Sequence, residues 1–333
     1  MRISAAGLIC VSTFLLALSG CRYLVDEDLS SCGGYQEIDC ELRLQTNVQA
    51  ELSTVLNLEG DINVSHVLET WLGNFFSAYA RDINLSFYDP EPDYPRLEHM
   101  TENMNGQQAV YTFYLPAREY LSDAVANLKD NTQVFLEDGD YYGSAILRQH
   151  AVNDTIDSFN TGIFSARKAI RLEEYEDRKI DIRLYFANAA SALVLEEAQG
   201  RSGGGIQVFA TGFADSFRIA DSCFVFSDKT IVRTERLPVE GGDRNCYAAV
   251  HFPSRDAAEE GGDGIWGWQV YNSLPDGTVT RSIVSVNEPL KAGSLKIVKA
   301  KVYENGVVSV TDPTVSVSVM LDWHEGGTHD VEL

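Results

Sequence analysis

Six cysteines, six histidines and a pair of tryptophans two residues apart are the parts of this chain best equipped for chemistry. Thiols form disulfides, bind metals or accept covalent groups, and their spacing narrows the choice. No two of Cys10, Cys21, Cys32, Cys40, Cys223 and Cys246 stand in a C-x-x-C arrangement, so neither a dithiol redox centre nor a zinc site is supported. His66, His99, His150, His251, His324 and His329 include no pair at helical ligand spacing, and H-E-x-x-H does not occur. His324 and His329 flank Glu325-Gly326-Gly327-Thr328 and read as part of an exposed polar tail. No G-x-S-x-G elbow, P-loop or G-x-G-x-x-G is present, and Gly203-Gly204-Gly205 lacks the lysine and helix that phosphate cradling requires. With 49 carboxylates in the chain, any chosen acid–base pair is uninformative. The expectation is a protein that is not an enzyme and uses neither metal nor cofactor.

Trp266 and Trp268 lie in Gly264-Ile265-Trp266-Gly267-Trp268-Gln269-Val270-Tyr271, and on a strand they would share one face. Exposed and coplanar, the two indoles would make a platform for a sugar ring, as in a surface glycan-binding protein. Buried, they would fill a sheet core beside Val270, and this is the favoured reading. Asp154-Thr155-Ile156 matches a short O-glycosylation pattern of Bacteroidetes secreted proteins, a three-residue signal that chance often supplies.

Cys21 has a context of its own. Met1-Arg2 is followed by an apolar run from Ile3 to Leu18, too short for a comfortable membrane span and typical of a secretory signal. The run ends at Leu18-Ser19-Gly20-Cys21, which resembles the bacterial lipobox. Cleavage there would remove residues 1–20 with Cys10 and leave Cys21 as a lipidated N-terminus. Its acyl chains, palmitate among them, would anchor the protein stably. Arg22 and then Asp26-Glu27-Asp28 are similar to a surface-export signal of Bacteroidetes lipoproteins, although the acids begin later than that pattern prefers. The expected location is the outer membrane, at the cell surface. Four cysteines remain, an even number that suits disulfides in an exported chain. Local pairing of Cys32 with Cys40 and of Cys223 with Cys246 is preferred; free thiols are the alternative.

The elements that must position these residues are mostly strands. Hydrophobic content of 44% and aromatic content of 10% suffice for packed cores. The formal net charge of −23 would repel phosphate backbones and argues against nucleic-acid binding. Residues 21–37 are polar and read as a flexible tether. Ile38, Cys40, Leu42 and Leu44 alternate with polar residues, as do Ile83, Leu85 and Phe87, and later Val315 to Trp323. Further strands are expected at 110–115, 133–136, 180–195, 206–213, 223–226, 248–252, 265–271, 282–286 and 295–303. One helix is predicted over 65–79, with Ser65 as N-cap and Val67, Leu68, Trp71, Leu72, Phe75, Phe76 and Tyr79 on its apolar face. Glycine turns punctuate the strands, and Asn305-Gly306 is the strongest hairpin signal. Many short strands with few helices indicate β-sandwiches. The charged stretch from Lys168 to Arg178 suggests a boundary between an N-terminal sandwich at 38–172 and a C-terminal one at 173–333.

Several segments together resemble the FimB-type fimbrial anchor and assembly lipoproteins of Bacteroidales. Asp26-Glu27-Asp28-Leu29-Ser30-Ser31-Cys32 is similar to an acidic-Leu-x-x-Cys segment near the start of mature members. Ile83-Asn84-Leu85-Ser86-Phe87-Tyr88-Asp89 resembles a first-domain strand, and Phe113-Tyr114-Leu115-Pro116, Tyr120 and Asn127-Leu128 the segment after it. Val319-Met320-Leu321-Asp322-Trp323-His324-Glu325-Gly326-Gly327 resembles the last strand. The helix around Trp71 departs from that pattern. The resemblance implies two tandem transthyretin-like Greek-key sandwiches, with pilin subunits as partners and a role in anchoring a fimbria.

Overall fold

The computed structural model describes residues 37–46, 62–73, 75, 80–91, 93–104, 108–129, 131–152, 155–175, 178–197, 205–227, 230–240, 244–258, 264–310 and 315–322. In chain order the elements begin with β1 (Glu37–Thr46), helix α1 (Ile62–Leu72), β2 (Asp82–Tyr88), β3 (Arg96–Asn103), β4 (Gln108–Pro116) and β5 (Glu119–Ala126). Then come β6 (Val134–Glu137), β7 (Ile146–Gln149), β8 (Ala151–Val152), β9 (Thr155–Asp157), β10 (Phe164–Arg171), β11 (Arg178–Phe186) and β12 (Ala189–Glu197). They continue with β13 (Ile206–Thr211), β14 (Ser216–Arg218), β15 (Cys223–Val225), β16 (Ile231–Arg233), β17 (Glu235–Pro238) and β18 (Arg244–His251). The last are β19 (Trp266–Ser273), β20 (Val279–Val286), β21 (Leu295–Val302), β22 (Val308–Val310) and β23 (Val315–Asp322).

These strands form four sheets, and the chain is a mainly β, β-sandwich protein with one helix among the described residues. A seven-stranded sheet runs β3-β2-β5-β10-β11-β1-β4, and a four-stranded one β15-β14-β7-β6. A five-stranded sheet runs β17-β18-β12-β21-β22 and faces a second seven-stranded sheet, β23-β20-β19-β13-β16-β9-β8. β12 reads Ala-Ala-Ser-Ala-Leu-Val-Leu-Glu-Glu, with eight of its nine positions buried. Such a continuous apolar run marks a strand covered on both faces. Accordingly Leu193 and Leu195 join the core shared with Trp266 and Trp268, while Ala192 and Val194 join the core of the first sheet and the helix.

β1 lies inside the first sheet, parallel to β11 and antiparallel to β4. The charged stretch 168–178 therefore runs from the second half of β10 to the start of β11, neighbouring strands of one sheet. β10 supplies Arg167, Lys168 and Arg171 to solvent and Ala166 and Ile170 to the core. β11 buries Ile180, Ile182, Leu184 and Phe186 by strict alternation, which holds it in the first sheet although it follows residue 173. Pairings of β7 with β14 and of β9 with β16 also cross that point.

The helix starts at Ile62, three residues before the expected Ser65 cap, and ends at Leu72. Val64 explains the earlier start: it is buried with Leu68, Trp71 and Leu72 at i, i+4, i+7 and i+8. Phe75 is buried just beyond; Phe76 and Tyr79 lie outside the described residues. Two hydrogen bonds fasten the helix, from Trp71 Nε1 to Glu235 Oε2 at 2.7 Å and from Asn63 Nδ2 to the Glu240 carbonyl at 2.9 Å. The Asn305-Gly306 turn joins β21 to β22 with Gly306 at φ +80°, as its sequence predicted.

Candidate assembly surface

Sheet edges carry unpaired backbone groups, and most edges of these sheets are blunted, β6 and β15 by being only four and three residues long. β8 and β22 are very short, and β17 ends in Pro238. β3, Arg-Leu-Glu-His-Met-Thr-Glu-Asn, is protected by charge. Two long edges remain among the described residues, β4 and β23. β4 reads Gln-Ala-Val-Tyr-Thr-Phe-Tyr-Leu-Pro without a charged residue, and its Val110 and Tyr114 are 59% and 64% exposed. The register places both on the sheet face opposite Phe113 and Leu115, which are buried. Tyr185 of β11 is exposed on that same outer face. β23, Val-Ser-Val-Ser-Val-Met-Leu-Asp, is held by β20 through eight residue pairs.

The tryptophans fill a core. Trp266 is 4% and Trp268 0% exposed, and their rings meet edge to face at 65° with centroids 4.9 Å apart. The coplanar sugar platform is thereby corrected: β19 is an interior strand, and its inner face packs on the five-stranded sheet. Gly267 between them allows the close approach, since a Cβ there would lie 1.9 Å from the Val284 carbonyl oxygen. Trp266 Nε1 donates to the Glu288 carbonyl at 2.7 Å.

The pairing of Cys223 with Cys246 is corrected as well. Cys223 is exposed on β15, Cys246 is buried in β18, and the two are free thiols. Their strands belong to different sheets, and β18 lies between β17 and β12, so the Cys246 side chain points into the core. Burial pushes the Cys246 thiol up to about 12, which keeps it protonated and unreactive. Cys40 is buried, and Cys21 and Cys32 lie outside the described residues. Thr155 is buried in β9 beside Ile156, so the hydroxyl of the short glycosylation pattern does not face solvent; Asp154 lies outside the described residues.

One polar cluster joins residue types that hydrolysis would use. The Tyr88 hydroxyl is 2.9 Å from Asp123 Oδ2 and 3.1 Å from the Gly139 carbonyl, and Ser86 Oγ is 3.1 Å from His99 Nδ1. The acid contacts the tyrosine and Ser86 rather than the histidine, and Ser86 is buried under the sheet's own residues. The wiring of a catalytic triad is absent, and the cluster braces β2, β3 and β5. Burial pushes the Asp123 carboxyl up to about 6. Among the described residues no group of three histidine, cysteine or carboxylate side chains could hold a metal, and no helix is long and apolar enough to cross a membrane.

No family model and no curated protein matches the chain. Solved structures do. A candidate polysaccharide-binding protein from Bacteroides thetaiotaomicron matches with TM-score 0.53 and 8% identity, over 83% of this chain and 97% of that one. A candidate adhesin from Bacteroides ovatus matches with TM-score 0.53 and 10% identity, over 86% and 96%. The fimbrial anchor protein Mfa2 from Porphyromonas gingivalis matches with TM-score 0.50 and 11% identity, over 85% and 98%. At such identities the likeness is one of fold, and by fold the chain stands with these Bacteroides and Porphyromonas β-sandwich proteins.

Proposed function

We propose that the chain is a cell-surface subunit of a fimbria, held to the outer membrane by lipid on Cys21 and joined to pilin subunits through a sheet edge. The observation that carries this reading is β4, a nine-residue, uncharged edge strand with exposed Val110 and Tyr114. Strand addition to such an edge gives affinity through main-chain hydrogen bonds and specificity through alternate side chains. The shared fold with a fimbrial anchor protein supports the same reading.

Photo-cross-linking from position 112, exposed on the same strand between Val110 and Tyr114, tests the contact in cells when followed by mass spectrometry. Pilin-like β-sandwich subunits should be captured, and Val110→Lys with Tyr114→Lys should cut capture by about tenfold through a charged edge. Both side chains face solvent, so the melting temperature should barely move. Recovery of glycan-uptake proteins without any pilin would overturn the assignment. The anchor has its own test: Cys21→Ser should abolish palmitate labelling and release the protein from the membrane fraction. A labelled, membrane-bound Cys21→Ser protein would contradict it.

A further inference from the structure

A cleft of about 540 Å³ lies where β13 outruns one of its neighbours. β13 pairs with β19 from Ile206 to Thr211, but with β16 only from Phe209 to Thr211. Ile206, Gln207 and Val208 therefore border a gap in the sheet. The chain leaves β16 at Arg233, passes Thr234 and enters β17 in the facing sheet, so Arg233, Thr234 and Arg236 wall the gap. Tyr247 of β18 lines it from the five-stranded sheet.

The charge of this cleft runs against that of the chain, whose acidic residues outnumber its basic ones by 49 to 26. Arg236 Nε donates to Asn245 Oδ1 at 3.0 Å, a neutral partner whose own amide donates to Glu197 Oε1 at 2.7 Å. Arg233 Nη1 is 3.4 Å from Asp157, but the two side chains are 64% and 65% exposed, so water weakens that pair. Tyr247 is buried and its hydroxyl has no hydrogen-bond partner. Burial pushes that hydroxyl up to about 12, so it remains a donor in need of an acceptor. Among the described residues that line it, the cleft offers two guanidinium groups and the Tyr247 hydroxyl and no carboxylate, with Asp157 on Arg233 and Glu197 behind Asn245 as the acids beside it.

A polypeptide strand is a poor occupant. Thr234 Oγ1 donates to the Val208 carbonyl at 2.6 Å, which removes an acceptor that an added strand would need. A planar carboxylate matches the guanidinium fork, and ring hydroxyls suit the exposed amide of Gln207. We infer that this cleft binds a carboxylate-bearing sugar, a hexuronic acid unit of an acidic oligosaccharide, with its carboxylate on Arg233 and Arg236. The volume lies within the range of ordinary small-ligand sites. This site is separate from β4 and does not depend on the fimbrial role.

Isothermal titration calorimetry of the full chain with trigalacturonate tests the inference, with maltotriose, tri-glutamate and inorganic phosphate as comparisons. Trigalacturonate should bind, with each comparison ligand at least about tenfold weaker. Arg233→Gln and Arg236→Gln should each weaken binding by about tenfold, and Tyr247→Phe by a smaller factor. Arg233 faces solvent, so its variant separates lost binding from lost folding. No binding by the unaltered chain would overturn the inference. So would equal binding of any comparison ligand, or unchanged binding by the Arg233→Gln/Arg236→Gln double variant.

Discussion

Trp268→Ala should destabilise the fold by about 3–5 kcal/mol, the range for emptying a buried aromatic site. Trp268 is wholly buried in β19, between Ala210 of β13 and Val284 of β20. Alanine would leave a cavity that Trp266, itself tied to the Glu288 carbonyl, cannot swing to fill. Trp268→Phe should cost much less, because the indole N–H has no hydrogen-bond partner to lose. Chemical denaturation of both variants provides the measurement. A Trp268→Ala protein as stable as the parent would mean the ring is not in a core, and would reopen the sugar-platform reading.

The second large effect is a loss of stability in acid through His251. This side chain is buried, stacked on Phe213 with centroids 3.4 Å apart. Its Nδ1 lies 2.7 Å from the Phe252 carbonyl, which only accepts, so Nδ1 carries the proton. Nε2 then accepts from the Ser191 hydroxyl at 2.9 Å. The neutral ring is satisfied and no carboxylate awaits a charged one, so burial pushes its pKa down to about 3. The unfolded chain takes up a proton near pH 6.5 while the folded one resists until about 3. Stability from this group is thus complete above 6.5 and is lost as pH falls towards 3. Between pH 6.5 and 4.5 the loss amounts to about 2.5 kcal/mol. Asp123 acts in the opposite sense. Its pKa, raised from 3.8 to about 6, gives stability that is complete below 3.8 and is lost as pH rises through 6. Comparing the parent with His251→Gln isolates the histidine, and the pH slope of the variant should be shallower by that amount. Parallel slopes would show that His251 titrates normally.

The strands whose apolar residues fall at every second position in the sequence were legible, because that pattern is local. β1, β2, β19 and the Asn305-Gly306 hairpin are of this kind. β3 was not, since an edge strand with mostly exposed positions such as Glu98, Thr101 and Glu102 carries no apolar rhythm. β10 was hidden by Arg167 and Lys168, whose exposure disguised Ala166 and Ile170. The placement of β11 was set by its pairing with β1, a contact between distant parts of the chain that no local pattern encodes. The basic cleft was invisible for a related reason, because Tyr247 and β13 reach it from separate sheets. Its one sequence trace is Arg233-Thr234-Glu235-Arg236, two arginines three apart in an acidic chain.

The position of β1 also has a mechanical meaning. A pull applied at Glu37 loads this strand directly. β1 is flanked on both sides, by seven residue pairs with β11 and nine with β4, so it cannot be peeled from an open edge. Force directed along it loads the two ladders in shear, and many hydrogen bonds share the tension instead of breaking in turn. A strand gripped in this way resists extraction, because the load is spread over both of its neighbours.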